Sequence, residues 1–422
     1  MIRSLLLALL VGGALAAAPA PDVPSRKECR ELIEAYFATD GTSEDGRIER
    51  ERLRRRLRLV KPTRSSDLKK WRKLLLETWA DGPELEKAGT NHLWPEDQRG
   101  KYIVGGRTKK PTALAICMHG GGVGSGEASS AHGAYDGALA ERGWLGIYPE
   151  VLEKTERGWT DSGTEEFVLE LVDRALRTWE LDHDRVYFVG HSMGGYGSWT
   201  LGAHHADRVA ALAPSAGAPA PRLGPDGLAQ SLLPGVIPNL RNVPLVVYQS
   251  IDDPRVPPDA NRVARDEIEA ARERWGGYAD FEYWEVNGRG HGAPPGGYGA
   301  HLDRIAGFER GPLPTKVVWQ PTLEWKQQFY WLWWDDPRAK VLLEAEIDRE
   351  KGLCEVKAKR AAYGVSLLLN DELVDMKREL RVTFNGKEVW RGVPERSLDV
   401  MVMTAVHGDE SLMFEALVPV TR

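Results

Sequence analysis

The sequence predicts an α/β protein in which a mostly parallel sheet carries helices on both faces, with a helical region before it and a small all-β unit after it. Three observations point there. Between about Gly100 and Glu309, the short apolar runs YIVGG, ALAICMHG, GWLGIYPEV, RVYFVG, VAALAPS, PLVVYQS and FEYWEVN alternate with amphipathic helical segments, the pattern of strands joined by crossover helices. Several of these runs are apolar without alternation, as suits strands covered on both faces. Ahead of them the pattern is helical and charged, and after GPLPTK, Gly311 to Lys316, the helical segments stop.

Taken in order, MIRSLLLALLVGGALAAAPA sets Arg3 before an apolar run from Leu5 to Leu15, followed by small residues with Ala-x-Ala spacing near Ala16 and Ala18. That is the pattern of a secretory signal, and it is short for a membrane span. Residues 1–18 are therefore expected to be removed, leaving a secreted or periplasmic protein with no stable membrane insertion. No cysteine follows the cleavage site, which argues against a lipid anchor there. Residues 19–99 read as helical: RKECRELIEAYFA, EDGRIERERLRRRLRLV and SDLKKWRKLLLETWA repeat apolar residues at intervals of three and four. Glu49 and Glu51 interrupt the arginines between Arg47 and Arg58, so that stretch reads as a solvated helix face.

Residues 100–312 form the α/β unit and 313–422 the β unit. The latter comprises QQFYWLWW, KVLLEAEI, LCEVKAKR, GVSLLLN, RVTFNGKEVW, DVMVMTAV and LMFEALVPV, with Asn385-Gly386 marking a two-residue hairpin turn. The alternating aromatics of QQFYWLWW, Gln327 to Trp334, are expected to pack into a sheet core. An exposed row of Trp331 and Trp333 would instead suit stacking on sugars.

A chain of 422 residues exceeds what one core usually serves. Hydrophobic residues make up 42% and charged residues 28%, and the net charge of −6 supplies no basic field for nucleic acid or anionic lipid. The three cysteines, Cys29, Cys117 and Cys354, allow at most one disulfide and lack metal-site spacing. Cys117 sits in a strand-like run and reads as a core hydrophobe.

The chemistry is concentrated in four loops. GHSMG, Gly190 to Gly194, runs from a strand into a helix with Ser192 at the turn, and its glycines permit a tight, strained backbone. HGGG, His119 to Gly122, follows ALAICM and brings backbone N–H groups close to whatever binds there. The amide of Met193 and that of Gly121 or a neighbouring glycine are the candidate oxyanion donors. A serine nucleophile needs a base, and the base needs an orienting carboxylate. PLVVYQS ends in IDDPRVPP, offering Asp252 and Asp253, and FEYWEVN ends in GRGHGAPP, offering His291. This chemistry requires no cofactor and no metal.

GHSMGG, HGGG, DDPRVPP and GRGHG, in the order Ser, Asp, His, resemble the α/β-hydrolase superfamily over roughly half the chain. The resemblance implies a serine hydrolase acting through an acyl-enzyme, with Ser192, His291 and Asp253 as catalytic residues. Asp253 is favoured over Asp252 because Asp-x-x-Val-Pro, Asp253 to Pro257, resembles the usual acid loop. The GGG loop and the segment before the nucleophile look like secreted esterases of the polyhydroxybutyrate depolymerase and feruloyl esterase kind, which implies a small-molecule or polymeric ester as substrate. They also look like prolyl oligopeptidase-type catalytic domains, although no β-propeller repeat precedes them. A serine peptidase and a non-catalytic binding protein on the same fold are the alternatives.

His119 and Gly122, with Trp159 and Asp161 of RGWTDSG, are candidates for lining the substrate pocket, since loops at strand ends carry such contacts. SLLPGVIPNL, Ser231 to Leu240, is the candidate for a modest cap. His204, His205 and Asp207 in LGAHHADR are assigned a surface or helix-end role, because adjacent histidines diverge around a helix and do not converge on a metal.

Overall fold

The computed structural model describes residues 22–421 except 42 and 340, so the segment read as a secretory signal lies outside the described residues. Helices α1 (Arg26–Ala38), α2 (Glu44–Leu57) and α3 (Ser65–Ala80) come first. Ser25 and Ser43 cap the first two by accepting from the amides of Glu28 and Gly46. Their apolar faces, including Ile33, Leu57 and Leu75, bury against Met401 and Val402 from near the C-terminus. The arginine face of α2 is only partly solvated: Arg54 and Arg58 pair with Asp399 at 2.6 and 3.0 Å, and Asp399 is buried.

The central unit continues with β1 (Gly89–Trp94), β2 (Arg99–Gly106), β3 (Leu114–Met118), α4 (Ala128–Arg142), β4 (Leu145–Pro149), α5 (Thr164–Trp179), β5 (Val186–His191) and α6 (Met193–His204). It is completed by β6 (Ala211–Ser215), β7 (Pro221–Leu223), β8 (Ala229–Leu232), β9 (Leu245–Ser250), α7 (Asp259–Trp275), β10 (Phe281–Val286) and α8 (Gly297–Ile305). Eight strands form one sheet in the order β1-β2-β4-β3-β5-β6-β9-β10. The first two pairings are antiparallel and the rest parallel. The sheet therefore begins inside the region expected to be helical, because β1 is a half-exposed edge strand without a continuous apolar run.

Strands β3, β4, β6 and β9 are buried along their whole length, as double coverage requires. On one face Phe188 and Trp199 share a core with Phe167 of α5. On the other, Tyr135 and Leu139 of α4 pack with Leu302 of α8. All three cysteines are free and buried, Cys117 within β3. Among the described residues no helix is long and apolar enough to cross a membrane.

The C-terminal region is β, as expected. Its strands are β11 (Lys316–Trp319), β12 (Gln328–Phe329), β13 (Leu332–Trp334), β14 (Leu343–Asp348), β15 (Leu353–Ala358), β16 (Val365–Leu369), β17 (Leu380–Phe384), β18 (Lys387–Gly392) and β19 (Ala416–Pro419), with a helix, α9 (Leu398–Thr404), ahead of the last. They form sheets ordered β11-β14-β15-β17-β18 and β12-β13-β16-β19. Asn385 (φ 49°) and Gly386 (φ 80°) turn the β17–β18 hairpin in the left-handed conformation such a turn demands.

Two local expectations change. DVMVMTAV is the helix α9, not a strand. QQFYWLWW is not one strand but a tight hairpin, with Phe329 opposite Leu332. Trp331 and Trp334 are fully buried, their indole N–H groups donating to Pro314 and Tyr363 carbonyls. No exposed row of Trp331 and Trp333 forms, and the aromatics pack as core.

The two units share a buried polar seam. Lys326 pairs with Asp207 at 2.9 Å, and Arg310 pairs with Asp184 and Asp409 at 2.6 Å each. His204 and His205 both donate to Glu165, at 3.0 and 3.2 Å, while His204 Nε2 accepts from the Thr322 hydroxyl at 2.7 Å. His204, His205 and Asp207 do lie at the end of α6, but they are buried, not at the surface. Each has a carboxylate or ammonium partner, although His205 Nδ1 is buried without one among the described residues.

Candidate active site

Strand β5 delivers Ser192 at a sharp turn into α6. Its backbone has φ 62° and ψ −123°, a region costly for a residue with a side chain. The conformation is held on both sides: Ser192 N–H donates to Ser215 O at 2.9 Å, and Ser192 O accepts from Tyr196 N at 3.0 Å. Close approach explains the glycines. A Cβ on Gly194 would lie 2.0 Å from Met118 O, and one on Gly190 2.2 Å from Gly194 O.

The loops after β9 and β10 reach the same end of the sheet. His291 Nε2 lies 2.9 Å from Ser192 Oγ, and its Nδ1 lies 2.8 Å from Asp253 Oδ2. Because a carboxylate only accepts, Nδ1 carries the hydrogen and Nε2 presents its lone pair to the serine hydroxyl. Asp253 is buried, and its Oδ1 accepts from the amides of Arg255 and Val256 at 2.9 and 3.0 Å. Asp252 points elsewhere. Its Oδ1 accepts from Ser250 Oγ and from the amides of Gly288, Arg289 and Gly290, pinning the loop that carries His291. The Ser250 hydrogen bond, helped by the amides of Gly290 and Arg289, lowers its pKa. It does more than occupy a turn.

In the HGGG loop, Gly121 (φ 155°) lines the cleft beside Ser192 and Met193. Met193 is the first residue of α6, so its N–H has no intrahelical acceptor and is available to a ligand. Gly122 is occupied differently: its N–H donates to Ser125 O at 3.3 Å in a small turn. His119 points inward and is 1% exposed. Its Nδ1–H donates to Gly120 O at 2.9 Å and its Nε2 accepts from Val151 N at 3.2 Å, with the Trp159 ring 4.9 Å away. Trp159 is fully buried and donates to His119 O. Asp161 turns to Thr155 Oγ1 at 2.7 Å. Of the four residues expected to line the pocket, His119 and Trp159 brace the glycine loop from beneath, Gly122 shapes it, and Asp161 holds the neighbouring loop; none lines the cleft.

The cleft itself encloses about 620 Å³, within the range of small-molecule sites. Its cap is the two-stranded hairpin of β7 and β8, with Leu223 and Leu228 exposed near its tip. In the expected cap segment, only the start belongs to this hairpin. Val236, Ile237 and Leu240 are core residues.

The sequence gives no signal for His191. Its Nδ1 lies 3.1 Å from Ser215 Oγ and its ring 4.9 Å from that of His291. Burial, reinforced by the nearby His291, lowers its pKa to about 4, so it is neutral at pH 7. Burial lowers His205 and His301 to about 4 as well. All three lie below the ordinary 6.5, so the unfolded chain takes up protons that the folded chain refuses. Their contribution to stability is complete above pH 6.5 and is lost as pH falls toward 4. The urea midpoint is expected to drop across that window; a flat midpoint there would contradict the burial of these rings.

Residues 122–234 match the family model described as alpha/beta hydrolase fold. Among solved structures, a thermostable esterase aligns at 17% identity with a TM-score of 0.39, covering 53% of this chain and 62% of that one. The acetyl xylan esterase from Aspergillus awamori aligns at 12% and 0.37, covering 49% and 93%. The poly(3-hydroxybutyrate) depolymerase LpqC from Bordetella parapertussis aligns at 17% and 0.35, covering 48% and 85%. No curated protein matches in sequence. The sheet order, the strained turn at Ser192 and the matched family model define an α/β-hydrolase fold.

Proposed function

We propose that this protein is a secreted serine hydrolase of carboxylic esters, working through Ser192, His291 and Asp253. The observation that carries this reading is the continuous hydrogen-bond chain Asp253–His291–Ser192 at the floor of an open cleft. Ser192 Oγ attacks the acyl carbonyl while His291 Nε2 accepts its proton, and Asp253 stabilises the imidazolium that forms. The amides of Met193 and Gly121 face the developing oxyanion. One such donor is worth about 2.7–4 kcal/mol of transition-state stabilisation. His291 then returns the proton to the leaving alcohol, and water hydrolyses the acyl-enzyme by the same route. Export is part of the reading and is supported by the pattern of residues 1–18.

A fluorophosphonate probe tests it directly. The folded protein is expected to be labelled at Ser192 and to hydrolyse short acyl esters. Absence of labelling in a correctly folded sample would overturn the reading.

A further inference from the structure

The walls of the cleft carry two guanidinium groups that have no side-chain partner among the described residues. Arg157 lines one side and Arg255 the acid-loop side, and Arg222 extends from the cap strand β7. None of the three makes a side-chain hydrogen bond or ion pair among the described residues. Elsewhere guanidinium groups are commonly paired, as in Arg72 with Glu415 at 2.8 Å and Arg274 with Glu344 at 2.6 Å. The chain also holds 62 acidic against 56 basic residues, so partners are not scarce. Two carboxylates line the cleft, Glu156 and Asp259. Asp259 is engaged, accepting from the Ala229 amide at 2.7 Å. The lining charges balance formally, two guanidinium groups against two carboxylates, but both guanidinium groups have their N–H donors unused while Asp259 is already held by a backbone amide.

We propose that the cleft at Ser192 selects esters bearing a carboxylate, bound by Arg157 and Arg255; this deepens the serine-hydrolase reading and rests on it. A guanidinium matches a carboxylate through two parallel N–H donors. Arg157 also sits near the Tyr196 hydroxyl, which donates to or accepts from Thr160 Oγ1 at 2.9 Å, so a substrate held there lies over the start of α6. Arg255 projects from the loop whose amides hold Asp253, next to the catalytic centre.

Two matched ester pairs test the proposal on the full chain. Monomethyl adipate against methyl hexanoate places the carboxylate on the acyl side. The second pair, 4-butyryloxybenzoate against 4-butyryloxybenzamide, places it on the alcohol side. The charged member of one pair is expected to be favoured about tenfold in kcat/KM, and the ratio should shrink with added salt. In an Arg157→Gln/Arg255→Gln double variant the ratio should approach unity; being taken within one protein, it cancels losses common to both esters. Arg255→Glu should push it below the wild-type value. Turnover of the neutral esters without preference for a charged partner overturns the proposal and leaves the hydrolase reading standing, as does a preference that survives the double variant. Failure to turn over either charged ester also overturns it. If fluorophosphonate labelling is absent too, the hydrolase reading falls with it.

Discussion

Ser192→Ala is expected to lower kcat for ester hydrolysis about a million-fold and to abolish fluorophosphonate labelling, while the protein stays folded. The substitution removes one oxygen and adds nothing. The Cβ already exists at φ 62°, so the backbone at the turn carries no new strain, and the two main-chain hydrogen bonds that hold it do not involve the hydroxyl. What disappears is the group between His291 Nε2 and the substrate carbonyl. His291 keeps its hydrogen bond to Asp253 at 2.8 Å, so the base remains in place with nothing to deprotonate. The amides of Met193 and Gly121 are untouched, and a residual rate of about 10³–10⁴ over water is expected from them and from binding. Unchanged urea unfolding alongside lost turnover separates chemistry from folding. A loss smaller than about a hundredfold would show that another group performs the attack.

The loops that converge on Ser192 were legible because each is announced locally by an apolar strand ending in glycines, an aspartate or a histidine. Orientation within those loops was not. His119 and Trp159 sit close to the Ser192 turn in the fold, yet both turn inward, and only the carbonyl and amide partners found in three dimensions decide that. Long-range pairing hides His204 and His205 in the same way: their partner Glu165 lies on α5 and Thr322 lies in the C-terminal region. The helix α9 escapes detection for a different reason. All seven of its residues are buried, so it has no polar face to reveal a helical period, and the alternation in DVMVMTAV imitates a strand. The β7–β8 hairpin consists of strands of three and four residues, too short for any period to register.

Asp253→Asn is expected to lower kcat about 10⁴-fold with KM little changed, whereas Asp252→Asn should cost less than about tenfold. The asymmetry follows from the hydrogen bonds. Asp253 Oδ1 accepts from two backbone amides, those of Arg255 and Val256. In the asparagine variant the amide oxygen must stay there, since an NH2 group facing two N–H donors would leave all of them unpaired. The NH2 group then occupies the position of Oδ2 and points at His291 Nδ1. A donor at that position requires Nδ1 to accept, which moves the ring hydrogen to Nε2. The nitrogen 2.9 Å from Ser192 Oγ then carries a hydrogen and cannot take the serine proton. The geometry survives while the tautomer is wrong, so the loss falls on kcat. Asp252 faces no such conflict. Its Oδ1 accepts from Ser250 and three loop amides, and an asparagine oxygen can accept the same bonds. Only the added charge assistance is lost, which weakens the seating of the loop without changing the His291 tautomer. Collapse of activity in Asp252→Asn, with Asp253→Asn near wild type, would reverse the assignment of the two carboxylates.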